Sequence, residues 1–166
     1  MPGPAGEERV ICGSGYGRAM TTIFLDTDAL AIPSHPESGD AYVLSRESDR
    51  MVGHLLDCGH RVVLVGEPDQ LEKARATLTV GSKTATLVPD PTAAGVPEDA
   101  RGWLITESPE ACAAVREKRR LRTILVGGSS DPNDLAHRPA DLLARSLSDA
   151  VIEILATEAM PEAATR

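Results

Sequence analysis

Four short apolar runs, each joined to the next by chain of mixed polarity, constrain the possible folds more than any other feature. They are Ile23-Phe24-Leu25, Val62-Val63-Leu64-Val65, Trp103-Leu104-Ile105 and Thr123-Ile124-Leu125-Val126. Runs this short, rich in β-branched residues and bounded by polar or Gly positions, read as strands buried on both faces. The chain between and after them carries helical spacing. Met51, Val52, Leu55 and Leu56 form one stripe of a helix starting near Ser45, and Gly59 follows where a helix end favours left-handed backbone. Pro68 stands at a first helical position beside Glu67 and Asp69, with Leu71, Ala74 and Leu78 facing inward. Ser108-Pro109-Glu110 opens a third helix before Ala111, Ala114 and Val115, and Ser146 caps a last one bearing Leu147, Ala150, Val151, Ile154 and Leu155. Weaker strand signals lie at Thr84 to Val88 and, as an edge strand, at Ala140 to Ala144. Such alternation predicts right-handed βαβ units: a three-layer α/β/α sandwich on a mostly parallel, Rossmann-like sheet of about five strands.

Composition fits one domain. The chain has 166 residues, 42% of them hydrophobic, and a domain of this size buries roughly 70% of its unfolded surface without needing disulfides or a structural metal. Residues 1–19, rich in Gly and small polar side chains, read as an extension, 20–158 as the α/β domain and 159–166 as a frayed tail. A net charge of −8 argues against nucleic acid, whose binding depends on neutralising phosphates, and 2% aromatic residues cannot build a stacking platform. Cys12, Cys58 and Cys112 form no C-x-x-C pair, so they are expected to be reduced, buried thiols. No apolar run approaches the roughly 20 residues of a membrane span, and the amino terminus does not resemble a signal peptide. The expected location is therefore cytoplasmic, with no membrane partner.

In parallel sheets, ligands sit beyond the carboxyl ends of the strands, where the winding reverses. That rule selects Asp26 to Asp28, Gly66-Glu67 and Thr106-Glu107. Asp26 and Asp28, one residue apart at a strand end, repel unless a proton or cation lies between them, and Mg2+ suits such carboxylate oxygens. The plainer reading is that an Asp there caps a turn. His35, His54, His60 and His137 share no metal-binding spacing. Gly13 to Gly17 and Gly81-Ser82-Lys83-Thr84 lack the flanks of a phosphate loop, and the five basic residues of Arg116 to Arg122 read as the solvated end of a helix.

Ile23-Phe24-Leu25-Asp26-Thr27-Asp28 resembles the first motif of the haloacid dehalogenase superfamily, an apolar strand followed by Asp-x-Asp. The layout stays similar to that family from Thr21 to Leu155. Leu55 to Val65 matches its helix, Gly and second strand, and Leu104 to Ala111 matches the strand and metal motif. The resemblance implies a Mg2+-dependent phosphohydrolase acting on a phosphorylated substrate, with Asp26 as nucleophile and Asp28 as acid and base. Asp26, the Asp28 carbonyl and Glu107 would hold the metal, while Gly66, Glu67 and Lys83 would occupy the phosphate-binding positions. No cap domain fits in the loop from Ala29 to Ser45, so the substrate or a second subunit, as in a homodimer, would have to cover the site.

This sequence departs from the family pattern at several positions. Ala29 and Leu30 replace the usual Gly and Thr or Val after the second Asp. Gly66 stands where a Thr or Ser hydroxyl would hold the phosphoryl group, and Lys83 lacks the expected context for the motif lysine. Ala111 replaces a second metal carboxylate, which Glu110 would have to supply from the next turn. A different registration of the metal motif, at Gly127 to Asp131, leaves too few elements after it. Two functions follow from the sequence: a phosphatase, or a catalytically degraded relative that keeps the fold as a binding or regulatory module for a protein partner.

Overall fold

The computed structural model describes residues 21–31, 44–87, 101–118, 120–127 and 140–159. The proposed extension at 1–19, Cys12, His35, His137, most of the alternative metal registration and the tail beyond residue 159 lie outside them. Among the described residues six strands form one sheet: β1 (Thr22–Asp26), β2 (Arg61–Val65), β3 (Ala85–Leu87), β4 (Arg101–Thr106), β5 (Arg120–Val126) and β6 (Leu142–Ala144). Their order is β3-β2-β1-β4-β5-β6, and every pairing is parallel. The sheet is thus wholly parallel and one strand wider than expected, because the short segments at 85–87 and 142–144 both pair as edges.

Period-two alternation divides the strand residues between two layers. Ile23, Leu25, Val62, Leu64, Trp103, Ile105, Ile124 and Val126 line one face, where the larger core also takes residues from three helices: α1 (Arg46–Asp57), α2 (Pro68–Thr77) and α4 (Leu147–Ala159). Phe24, Val63, Val65 and Leu104 turn to the other face and meet Val115 of α3 (Pro109–Lys118). The sandwich is therefore three-layered. In α3 the buried positions are Cys112 and Val115, with Ala111 and Ala114 only half-buried, a one-residue rotation from the expected stripe.

Local chemistry sets the helix ends. Ser45 caps α1 by accepting the Ser48 N–H at 3.1 Å, and the Ser48 hydroxyl donates to the Leu30 carbonyl at 2.8 Å. Gly59, at φ +83°, makes the left-handed turn out of α1 that a side chain would disfavour. Asp49 on α1 accepts both the N–H and the hydroxyl of Thr79, tying the turn after α2 to the first helix. Cys112 is buried and free, as expected. Cys58 is not: it is disulfide-bonded, which corrects the expectation of three reduced thiols. Among the described residues no helix is long and apolar enough to cross a membrane.

Candidate active site

Winding reverses between β1 and β4, the neighbours at the centre of the sheet, so the crevice beyond their carboxyl ends is the switch point of the fold. β1 ends on Asp26 and β4 on Thr106, with Glu107 immediately after. After Asp26 the chain enters a single 3-10 turn, Thr27–Leu30, and the Oδ1 of Asp26 accepts the Asp28 N–H at 3.0 Å. The turn-capping role is thus real for one oxygen. The other, Oδ2, accepts the Thr106 hydroxyl at 2.8 Å, a bond from the neighbouring strand that the turn does not require. Thr106 Oγ1 in turn accepts the Ser108 N–H at 3.1 Å, and Ser108 Oγ accepts the Ala111 N–H at 3.2 Å. A continuous chain of hydrogen bonds therefore runs from the start of α3 to the Asp26 carboxylate.

Asp26 is half-buried, whereas Asp28 and Glu107 are exposed. Burial raises the pKa of the Asp26 carboxyl above its usual 3.8 and the Asp28 charge adds to this, while the bonds from Asp28 N–H and Thr106 oppose it. Glu107 is likewise raised from 4.5, first by partial burial and then by the charges of Asp28 and Asp26. The three acids share one electrostatic neighbourhood, and among the described residues no Lys or Arg forms an ion pair with any of them.

The same donor set bears on Mg2+. Among the described residues no three His, Cys, Asp or Glu side chains form a cluster able to hold a metal by themselves. Mg2+ does not need such a cage, since it takes one or two carboxylates and completes its shell with water and substrate phosphate. The Asp26 carboxylate and Glu107 supply hard oxygens of that kind. The Asp28 carbonyl accepts the Ala31 N–H at 3.2 Å and keeps its second lone pair. By donor chemistry these residues fit the ion. Glu110 receives the Ser108 hydroxyl at 3.1 Å, within the first turn of its own helix.

The expected phosphate-binding positions separate. Gly66 directly follows β2, whose last residue Val65 pairs with Asp26, but a Cβ on it would lie 2.1 Å from Thr27 Oγ1 and 2.9 Å from Thr27 Cγ2. The fully buried Thr27 side chain fills the space that a residue larger than Gly would occupy. Glu67 caps α2 by position only, with no side-chain bond to the helix, and is exposed. Lys83 sits two residues before Ala85, which pairs with Val63. It belongs to the 3-10 turn Gly81–Lys83, which leads into the amino end of β3. The structure places it at the amino end of the sheet, away from Asp26.

Three residues to which the sequence reading gave no role matter here: Thr106, Thr27 and Gln70, whose Oε1 accepts the Thr27 hydroxyl at 2.8 Å. Thr106 carried a usable signal, a hydroxyl ending an apolar strand beside an acid. The Thr27–Gln70 contact, 43 positions apart, had none.

No protein-family model and no curated protein matches the chain. Solved structures do. A D,D-heptose 1,7-bisphosphate phosphatase from B. bronchiseptica, complexed with magnesium and phosphate, superposes with a TM-score of 0.59 at 16% identity, covering 83% of this chain and 99% of that one. A protein described as "Putative beta-phosphoglucomutase" from Bacteroides vulgatus superposes with a TM-score of 0.61 at 10% identity, covering 84% and 90%. The chain therefore has the haloacid dehalogenase-like fold, in agreement with the resemblance of its first strand and Asp-x-Asp segment.

Proposed function

We propose that the protein is a phosphohydrolase that works through Asp26. The observation that carries this reading is the Asp26 carboxylate itself, half-buried at the switch point and held by one donor from the 3-10 turn that follows it and one from β4, with the Glu107 charge nearby. Phosphoryl transfer depends mainly on positioning and charge stabilisation; the bonds to Asp26 support the first, and a bound cation would have to supply the second. An Asp26 oxygen attacks phosphorus as the bond to the leaving oxygen breaks, and Asp28 hands that oxygen a proton. Asp28 then accepts a proton from water, whose oxygen attacks the aspartyl-phosphate and frees Asp26 and inorganic phosphate. Mg2+, held by Asp26, the Asp28 carbonyl and Glu107, would offset the charge of three acids and a phosphoryl group in one crevice. Support for the metal comes from this donor set and from the magnesium in the heptose bisphosphate phosphatase.

One observation favours the second reading, a fold-only binding or regulatory module. The hydroxyl expected on β2 is absent at Gly66, and Thr27 occupies its space. Phosphate release from a panel of small and macromolecular phosphoesters, with and without Mg2+, separates the two. Turnover that requires Mg2+ and disappears in Asp26→Asn is expected. No release from any ester, with no Mg2+ binding by calorimetry, would leave the module.

A further inference from the structure

From the contacts around Gly66 we infer that Gln70 supplies the phosphoryl-binding donor missing from the end of β2, held in place by Thr27; this rests on the phosphohydrolase reading. A Ser or Thr at position 66 is incompatible with Thr27, because even its Cβ would overlap the Thr27 hydroxyl. That hydroxyl, on the residue directly after Asp26, is the polar group now lying at the end of β2. It donates to Gln70 Oε1 at 2.8 Å. An amide whose oxygen is held in this way has its orientation set, with both N–H bonds of Nε2 directed elsewhere. Nε2 makes no hydrogen bond among the described residues, and Gln70 is only half-buried. Gln70 belongs to the first turn of α2, just beyond Gly66 and Glu67, on the same side of the sheet end as Asp26. A phosphoryl group seated on Asp26 presents its oxygens to whatever donor lies across from β1 toward β2. Here that donor is a primary amide reaching from the helix in place of a strand-end hydroxyl.

The test separates a ligand-binding role from a structural one through Gln70→Glu. A Glu at this position still accepts the Thr27 hydroxyl bond but has no N–H to offer an anion; Gln70→Leu loses both. Binding of inorganic phosphate by calorimetry in the presence of Mg2+, KM and kcat for the best phosphoester, and thermal midpoints are to be measured for wild type and both variants. The expected result is a 10- to 100-fold weaker phosphate affinity in both, the loss associated with one hydrogen bond to a charged group. KM should rise more than kcat falls, and the Gln70→Glu midpoint should stay close to wild type. Wild-type phosphate affinity and KM in both variants would overturn the assignment of Gln70 and leave the phosphohydrolase intact. A wild-type protein that neither binds phosphate nor hydrolyses any ester would overturn both.

Discussion

The site depends on a few side chains whose effects can be separated. Thr106→Val keeps the shape of the residue and removes the donor to Asp26 Oδ2. That bond lowers the Asp26 pKa against the effect of burial, so without it the carboxyl titrates higher still. With Asp26 as the proposed nucleophile, which must be ionised to attack, the acid limb of the kcat/KM profile should move to higher pH, and activity at neutral pH should fall about 10-fold or more, as for loss of an aligned donor to a charged group. Gly66→Ala should cost about 1–3 kcal/mol, the usual result of overpacking, because its new methyl meets Thr27. Trimming Thr27 to Ala should recover part of that cost in the double variant. Chemical denaturation of the two single variants and the double one would show this as non-additivity, and simple additivity would refute the packing argument.

Among the secondary-structure elements, α1 best shows how local sequence positions distant parts. Its cap Ser45 also lies within 2.7 Å of the Ser48 hydroxyl, which bonds the Leu30 carbonyl at the end of the 3-10 turn containing Asp28. Ser45→Ala should therefore destabilise the fold by about 1 kcal/mol, typical of a lost amino-terminal cap, as read by urea unfolding. The strands and their order of occurrence could be read from sequence, since each is an apolar run bounded by polar or turn-forming residues. The helix starts at Ser45, Pro68, Ser108 and Ser146 were also legible, because capping chemistry is local. The rotation of α3 was not. Ala111, Cys112, Ala114 and Val115 are all small or apolar, so only packing against β5 and β4 chooses Cys112 and Val115 for burial.

At the scale of the whole molecule, charge and pH couple to the fold. Asp26 and Glu107 both have folded pKa values above their usual 3.8 and 4.5. A carboxyl raised in this way binds more protons folded than unfolded, so its contribution is present below the unfolded pKa and is lost as pH rises through the folded value. Without divalent cation, Glu107→Gln should accordingly have a higher thermal midpoint than wild type at pH 7, a difference that should vanish near pH 4. Added Mg2+ should stabilise wild type more than this variant, by mass action on the folded state. The net charge of −8 acts at longer range. The anionic phosphoester of the proposed function would approach against that field, so kcat/KM should rise as ionic strength increases from about 0.01 to 0.15 M, with screening shortening the reach of the repulsion.

The sequence by itself determined the elements, the parallel α/β class and the presence of an acid pair at the end of the first strand, because hydrophobic period, capping and strand boundaries depend on neighbours along the chain. Only the tertiary structure decided which groups share the crevice. Strand order put Thr106 and Glu107 beside Asp26 and left Lys83 at the other end of the sheet, while close packing filled the space above Gly66 with Thr27 and brought Gln70 to it. These pairings join residues 39 to 81 positions apart, and which of them meet is set by register and packed volume, quantities that come into being only when the strands assemble.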